Sequence, residues 1–202
     1  MSLKHTYTLW APIYDLLVDR ATRVPRRRSL ERLGDIHGQQ ILLPGVGSGL
    51  DFPHLPAGAH YHGLDLTPAM LVRARRLADS LGLDMHLDEG DAMALPYEDA
   101  RFDVVILHLI LAVVPDPARA LSEAVRGARP GARLLILDKF LRPGQKAPLR
   151  RMINPLISRL ATRTDVVFED LLAGHDGLRL IEDTPALAGG WFRHICLRKD
   201  EG

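Results

Sequence analysis

Short apolar segments alternate along the chain with longer segments in which apolar residues recur at helical spacing. The short segments predict strands at residues 40–44, 61–64, 85–87, 104–107 and 133–137, and the longer ones predict helices at 68–81 and 116–128. Segments 178–184 and 191–198 are joined across Gly189 and Gly190, which predicts a closing hairpin. Because strands that alternate with helices are typical of βαβ units, we predict an α/β fold with a doubly wound parallel sheet.

Two segments fall outside this alternation. Residues 1–35 precede the first predicted strand, and residues 141–177 lie between the fifth strand and the hairpin. In a doubly wound sheet, ligands bind outside the carboxyl ends of the strands, so we expect both segments to form helical lids over a site there. We predict one domain over residues 1–202, with a ligand-binding core at 36–140 and the closing hairpin at 178–202.

Composition excludes several classes of protein. The chain has 202 residues, of which 47% are hydrophobic and 25% charged, as in an ordinary globular protein. The single cysteine, Cys196, allows no internal disulfide and no cysteine zinc cage, so we expect a cytoplasmic protein. The longest apolar run, residues 104–114, is too short to span a bilayer. His60 and His62 alternate on a strand without a third ligand at suitable spacing, so we predict no metal site.

Charge is distributed unevenly along the chain. The net charge is +1, but residues 20–32 carry +5 and residues 141–164 carry +6, which leaves −10 for the remainder. The second basic segment also carries an apolar stripe at helical spacing, formed by Leu149, Met152, Ile153, Leu156, Ile157 and Leu160. Such a segment either lies peripherally on an anionic membrane or closes over the chain's own pocket, and both interpretations stay open. We expect no nucleic acid, because the basic segments lack interleaved aromatic residues.

A glycine-rich turn, Pro44-Gly45-Val46-Gly47-Ser48-Gly49, directly follows the first predicted strand. Glycines let a nucleotide-like ligand approach the backbone, because no Cβ is in the way. The spacing is Gly-x-Gly-x-Gly and not the Gly-x-Gly-x-x-Gly of diphosphate sites. Pro53 and Pro56 also prevent a long helix after the turn. Taken alone, the pattern is equally compatible with a plain turn.

Two aspartates follow the next two predicted strands. Asp65 ends the second strand, sixteen residues after Gly49, where a carboxylate can accept hydrogen bonds from both ribose hydroxyls. Asp91 follows the third strand and could accept a hydrogen bond from the exocyclic amine of an adenine. Met70, one helical turn beyond Asp65, could cover the adenine face. The alternatives are turn aspartates and a methionine that packs in the core.

Taken together, these segments resemble the class I S-adenosylmethionine-dependent methyltransferases. The matching segments, ILLPGVGSG, YHGLDLTPAML, EGDAMALPYEDARFDVV and ARPGARLLILD, fall in the expected order over about residues 40–138. The resemblance implies a Rossmann-like seven-stranded sheet with an antiparallel last strand, and S-adenosylmethionine as the cofactor. It also implies that Gly45, Gly47 and Gly49 contact the methionine part, Asp65 the ribose, and Asp91 and Ala92 the adenine. Further predicted cofactor contacts are Val46, Leu66, Met70 and His108.

A closer resemblance is to the soluble bacterial phosphatidylethanolamine N-methyltransferases. It rests on YTLWAPIYD, GVGSGLDFPHLP and HLILAVVPDP. The acceptor that this resemblance implies is a phospholipid head-group amine. Quinone C-methyltransferases share much of the framework, so C- or O-methylation of a quinone or another small molecule is the alternative.

One residue departs from the family pattern. Leu43 stands two positions before the first glycine, where the family usually has an acid that helps to hold the methionine ammonium. A buried ammonium without a partner is costly, so a turn carbonyl, His108 or water must compensate. The departure also leaves open a cofactor-binding domain with weak or no catalysis.

Methyl transfer from a sulfonium needs alignment and the exclusion of water, but no metal and no nucleophilic residue. An amine acceptor must be neutral to attack, so a nearby base would help. His108, at the end of the fourth predicted strand, is the first candidate, and a core histidine is the alternative. Tyr14 and Tyr7 are the next candidates. With Trp10 they share one helical face, which either covers a cationic ligand or packs on the sheet.

Overall fold

The computed structural model describes residues 21–142 and 166–201. Its strands are β1 (Gln40–Pro44), β2 (His60–Asp65), β3 (Met85–Glu89), β4 (Phe102–His108), β5 (Ala128–Lys139), β6 (Leu178–Leu187) and β7 (Phe192–Lys199). Its helices are α1 (residues 21–30), α2 (Pro68–Leu81), α3 (Pro117–Gly127) and α4 (Phe168–Ala173).

All of these strands form one sheet, in the order β3-β2-β1-β4-β5-β7-β6. Strands β1 to β5 pair in parallel, and β7 runs antiparallel between β5 and β6. The predicted Rossmann-like fold with seven strands, an antiparallel last strand and a closing hairpin is therefore confirmed. Among the residues described, no helix is long and apolar enough to cross a membrane.

Helix α2 covers the predicted residues, Pro68–Leu81. Pro68 suits the first turn, and Gly82 ends the helix in the left-handed conformation, with φ +63°. Thr67 holds the N-cap position, but its side chain makes no capping hydrogen bond to the described residues. Asp65 instead fixes the approach to the helix, since its Oδ1 accepts a hydrogen bond from the Thr67 backbone N–H at 2.9 Å.

Strand β5 is longer than predicted. It begins at Ala128, which pairs with Phe102, although the predicted strand starts only at Arg133. Proline and glycine, here Pro130 and Gly131, usually interrupt a strand. The ladder passes them because the register between β4 and β5 shifts between Phe102 and Val104, and because Gly131 adopts φ +76°.

The central strand β4 is buried on both faces. Val105 and Leu107 join an apolar layer that includes residues of α3 and α4, and Val104 and Ile106 join a second layer that includes residues of α1 and α2. Since side chains alternate across a strand, these layers cover opposite faces of the sheet. The carboxyl ends of β1, β2, β4 and β5 consequently meet at one edge, and the candidate site lies there.

Candidate functional site

The glycine turn that follows β1 is attached to β2. The backbone N–H groups of Gly45 and Val46 both donate to the carbonyl of Leu64, at 2.6 and 3.0 Å. Gly45, Gly47 and Gly49 all have positive φ, at +71°, +54° and +89°. Because non-glycine residues adopt this region at a cost, the local fold requires glycines here.

Only one of these three glycines has open space at its α-carbon. A Cβ on Gly45 would lie 2.9 Å from Cγ1 of Ile110, and a Cβ on Gly49 would lie 2.7 Å from Cδ2 of Phe52. A Cβ on Gly47 would meet no atom of residues 21–142 or 166–201 within 4 Å. Gly45 and Gly49 therefore serve packing as well as the turn, whereas the backbone at Gly47 is open to a ligand.

Asp65 lies at the end of β2 and faces this turn. Its Oδ2 accepts a hydrogen bond from the Gly47 backbone N–H at 2.8 Å. Since each carboxylate oxygen has two acceptor positions, Asp65 can hold the turn and still accept from a ligand. The neighbouring Leu66 is 68% exposed, and Met70 is half-buried, so both present apolar surface beside Asp65.

Asp91 occupies the loop after β3. Its Oδ1 accepts from the Met93 backbone N–H at 2.8 Å, and Ala92 beside it is buried. Gly90 donates its backbone N–H to the carbonyl of Asp65 at 3.1 Å. The structure thus brings the predicted residues of the glycine turn, of β2 and of the β3 loop together along one edge.

His108 ends β4 and is buried, which is compatible with a base at the site and with a core histidine. Its Nδ1 lies 2.8 Å from Oδ1 of Asp51, and its Nε2 lies 2.9 Å from Oγ of Ser29 in α1. An ionised Asp51 accepts the Nδ1 proton, which leaves Nε2 to accept from the Ser29 hydroxyl. Both ring nitrogens are therefore engaged by buried protein groups, and the role of His108 as a base stays a prediction.

Asp51 is also bonded to α1 by an ion pair. Arg26 Nη1 donates to Asp51 Oδ2 at 2.8 Å, and the two side chains are only 8% and 10% exposed. Burial alone would raise the pKa of Asp51, but the Arg26 guanidinium and His108 hold it below its ordinary value. We call Arg26, Ser29, Asp51 and His108 the Asp51 clamp. It ties α1 to the segment after the glycine turn and to β4.

Most of this clamp could not be predicted from the sequence. Arg26 counts there as one charge of a basic segment, yet its side chain is buried. Asp51 follows the glycine turn with nothing in its local spacing to mark it. The one usable indication is that Asp51 breaks an apolar stretch between Leu50 and Phe52.

The loop after β4 is held by a buried acid at the end of β5. Asp138 Oδ2 accepts from the Ala112 backbone N–H at 3.0 Å, and its Oδ1 accepts from the Lys139 backbone N–H at 2.8 Å. Burial raises the pKa of Asp138 to about 6, although these backbone donors oppose the rise. Leu109 starts the loop with φ +58°, and the next residue, Ile110, packs on Gly45.

The segment that contains the glycine turn, Asp65 and Asp91 also matches a known protein family. A family model described as a methyltransferase domain matches residues 42–136. The phosphatidylethanolamine N-methyltransferase of Cereibacter sphaeroides is 31% identical over 201 residues, which cover 98% of this chain and 98% of that protein. This chain belongs to the S-adenosylmethionine-dependent methyltransferases. It is an enzyme of that class, and its cofactor is S-adenosylmethionine.

Other proteins similar to this methyltransferase are more distant or only partly covered. The ubiquinone/menaquinone biosynthesis C-methyltransferase of Roseobacter denitrificans is 36% identical over 134 residues, which are 62% of this chain and 54% of that protein. The geranyl diphosphate C-methyltransferase of Streptomyces coelicolor has a similar structure, with a TM-score of 0.73 and 16% identity over 91% of this chain and 81% of that one. At 16% identity, the likeness to the Streptomyces coelicolor structure shows the fold alone.

The residues at the edge fit the methyltransferase cofactor. The backbone at Gly47 is open, and two partly exposed carboxylates, Asp65 and Asp91, lie beyond it. Leu43, by contrast, is 2% exposed and belongs to an apolar cluster, so it offers nothing to an ammonium group.

Several predicted residues of the methyltransferase lie outside the described residues. These are Tyr7, Trp10 and Tyr14 in the first segment and the whole apolar stripe of the second basic segment. Within residues 21–142 and 166–201, no group of three or more histidine, cysteine or acidic side chains could hold a metal ion.

Proposed function

We propose that this methyltransferase transfers methyl groups to the head-group amine of a phospholipid of the phosphatidylethanolamine type. The observation that carries the proposal is the share of this chain that each relative matches. The phosphatidylethanolamine N-methyltransferase relative matches 98% of the chain, whereas the quinone C-methyltransferase relative matches 62%. Segments beyond the cofactor core usually shape the acceptor site, so a match that includes them supports the acceptor of the full-length relative.

The proposed cofactor site extends along the carboxyl edge of β1, β2 and β3. The glycine turn would hold the methionine part, Asp65 the ribose hydroxyls, and Asp91 with Ala92 the adenine. Additional contacts are proposed for Val46, Leu66, Met70 and His108. When bound, S-adenosylmethionine supplies an electrophilic methyl group on its sulfonium.

The transfer needs little chemistry from the protein. The lone pair of the neutral amine forms the new N–C bond, and the electrons of the S–C bond leave with the sulfur. The nitrogen then loses a proton, for which the proposed acceptors are His108, Tyr14 and Tyr7. The His108 side chain is 1% exposed, so a proton would reach it through the Ser29 hydroxyl, which lies 2.9 Å from Nε2.

A lipid acceptor agrees with the exposed face of α1. Arg23, Arg27 and Arg28 are exposed there, and Val24 among them is 47% exposed. A basic helical face with an apolar residue can rest on an anionic membrane surface. We therefore propose peripheral contact between this face and an anionic lipid surface, which brings the acceptor to the enzyme.

The proposal is tested by supplying acceptors in parallel with methyl-labelled cofactor. One reaction contains vesicles with phosphatidylethanolamine, and another contains a demethylated quinone in detergent. We expect label in the lipid fraction and little in the quinone. Label in the quinone alone would assign the enzyme to C-methylation. Vesicle co-sedimentation at low and moderate salt tests the membrane contact, since binding through arginines weakens as salt rises.

A further inference from the structure

The position at which the family usually has an acid is apolar in this chain, and its side chain is buried among other apolar residues. Leu43 is 2% exposed and shares an apolar cluster with Leu33 and Ile41. The cofactor nevertheless carries an ammonium group on its methionine part. An ammonium that leaves water for a partly closed site needs a hydrogen-bond acceptor, and a carboxylate is the strongest one.

The sheet register places a buried carboxylate close to this position. Ile41 pairs with Val104, so Leu43 lies level with Ile106 on β4. The next β4 residue on that face is His108, two residues towards the carboxyl edge. Asp51 is bonded to His108 at 2.8 Å. Its carboxylate is therefore held on the face of the sheet that Leu43 shares, against the residue that ends β4.

Among the described residues, two groups donate hydrogen bonds to the Asp51 carboxylate. It accepts one hydrogen bond from Arg26 and one from His108, on different oxygens. A carboxylate has about four acceptor positions, so Asp51 can accept from a further donor without breaking either bond. Its two partners come from α1 and β4, and they hold the carboxylate in one orientation beside the turn.

We propose that Asp51 supplies the carboxylate that Leu43 does not, and that it binds the ammonium group of the cofactor's methionine part. Arg26 and His108 act as positioning residues for this carboxylate. The inference rests on the proposed placement of the cofactor at the glycine turn. It makes α1, which the sequence analysis treats as a lid, part of the cofactor site.

The test compares two ligands that differ at the methionine part. S-adenosylhomocysteine carries the amino-acid group, whereas 5′-methylthioadenosine has the same ribose and adenine without it. Asp51→Asn removes the charge and keeps the shape of the side chain. Asp103→Asn is the matched control, because Asp103 accepts from the Gln40 backbone N–H at the opposite end of β1. Both ligands are titrated calorimetrically into each protein.

We expect Asp51→Asn to weaken S-adenosylhomocysteine by roughly tenfold or more, as for a lost charged hydrogen bond, and to leave 5′-methylthioadenosine unchanged. The control should bind both ligands like the unmodified protein. Equal losses for both ligands would overturn the proposal, because they would show that Asp51 only shapes the turn. Unchanged binding of both ligands would overturn it as well.

A second variant covers the case in which Asp51→Asn does not fold. That substitution leaves the buried Arg26 without its carboxylate, so Arg26→Gln combined with Asp51→Asn removes both charges and is expected to fold. The same difference between the two ligands is expected in this double variant. Asp65→Ala separates the inference from the site assignment, because it should weaken both ligands. If Asp65→Ala changes neither, the proposed site itself is wrong.

Discussion

Asp65 accepts a hydrogen bond from the backbone N–H of Gly47, with 2.8 Å between Oδ2 and the nitrogen. The bond joins the end of β2 to the turn after β1, at the one turn glycine whose α-carbon has open space beside it. A single carboxylate therefore shapes the turn, and we propose that it also binds the ribose hydroxyls. This relationship is what makes Asp65 the first target for mutation.

Asp65→Ala is expected to weaken binding of S-adenosylhomocysteine by about 2–4 kcal/mol, as for two hydrogen bonds to a charged acceptor. Titration calorimetry measures the change. Asp84→Ala is a suitable control, because the Asp84 side chain is 71% exposed and lies outside the proposed site. Unchanged affinity in a folded Asp65→Ala protein would contradict the ribose assignment.

Alanine at two neighbouring glycines should have different effects. At Gly45 the new Cβ would collide with Ile110, so Gly45→Ala should lower the free energy of unfolding by about 1–3 kcal/mol through overpacking and strain. At Gly47 the new Cβ meets none of the described residues within 4 Å and would instead project into the space proposed for the cofactor. Gly47→Ala should therefore lower cofactor affinity more than it lowers stability. Thermal unfolding and calorimetry measure the two quantities. The contrast fails if Gly47→Ala binds the cofactor normally.

The sequence predicted the centre of the sheet well because β1, β2, β4 and β5 each contain a continuous buried run. The course of β5 past Pro130 and Gly131 was missed, since it depends on a register shift against β4 that no local pattern records. Asp65 and Asp91 could be singled out because each lies just after a predicted strand, and the structure brings both to one edge. Their contacts with the cofactor stay predictions.

The Asp51 clamp could not be predicted in the same way. Its contacts join residues 25, 57 and 79 positions apart, so they appear only after the chain has folded. From the local pattern, Arg26 is expected on an exposed basic face, and His108 is expected at the end of a strand. Neither pattern predicts that both side chains meet a carboxylate from the segment after the glycine turn.

The stability of the Arg26–Asp51 pair should be visible in a double-mutant cycle. Asp51→Ala leaves a buried guanidinium without its partner, and we expect a loss of about 3–5 kcal/mol in the free energy of unfolding. Arg26→Met in the same chain should recover part of this loss. Additive losses from the two substitutions would contradict the coupling.

The Asp51 carboxylate should also make stability depend on pH. Because the pKa of Asp51 is held below its ordinary value, its stabilisation is present above that value and is lost as the pH falls below it.

Asp138 should have the opposite pH dependence. Its pKa in the folded protein is about 6, above the ordinary 3.8, so the folded state binds the proton more tightly than the unfolded state does. The contribution of Asp138 to stability is therefore full below about pH 4 and falls as the pH rises to 6, by roughly 3 kcal/mol in total. Asp138→Asn removes this titration.

Chemical denaturation of Asp138→Asn and of the unmodified protein between pH 4 and 8 checks this expectation. The unmodified protein should lose stability relative to the variant as the pH rises from 4 to 6, and the difference should then stay constant. A difference that does not change with pH over that range would show that Asp138 titrates near its ordinary value.

We propose that an amine on a lipid head group receives the methyl group from a cofactor that Asp65 helps to hold. The most direct measurement compares two vesicle preparations that differ only in the head group. One contains phosphatidylethanolamine, and the other contains phosphatidylcholine, whose nitrogen has no lone pair left to methylate. We predict transfer of labelled methyl to phosphatidylethanolamine by the unmodified enzyme, none to phosphatidylcholine, and strongly reduced transfer by Asp65→Ala. No transfer to phosphatidylethanolamine by an enzyme that binds S-adenosylhomocysteine would contradict the proposed acceptor.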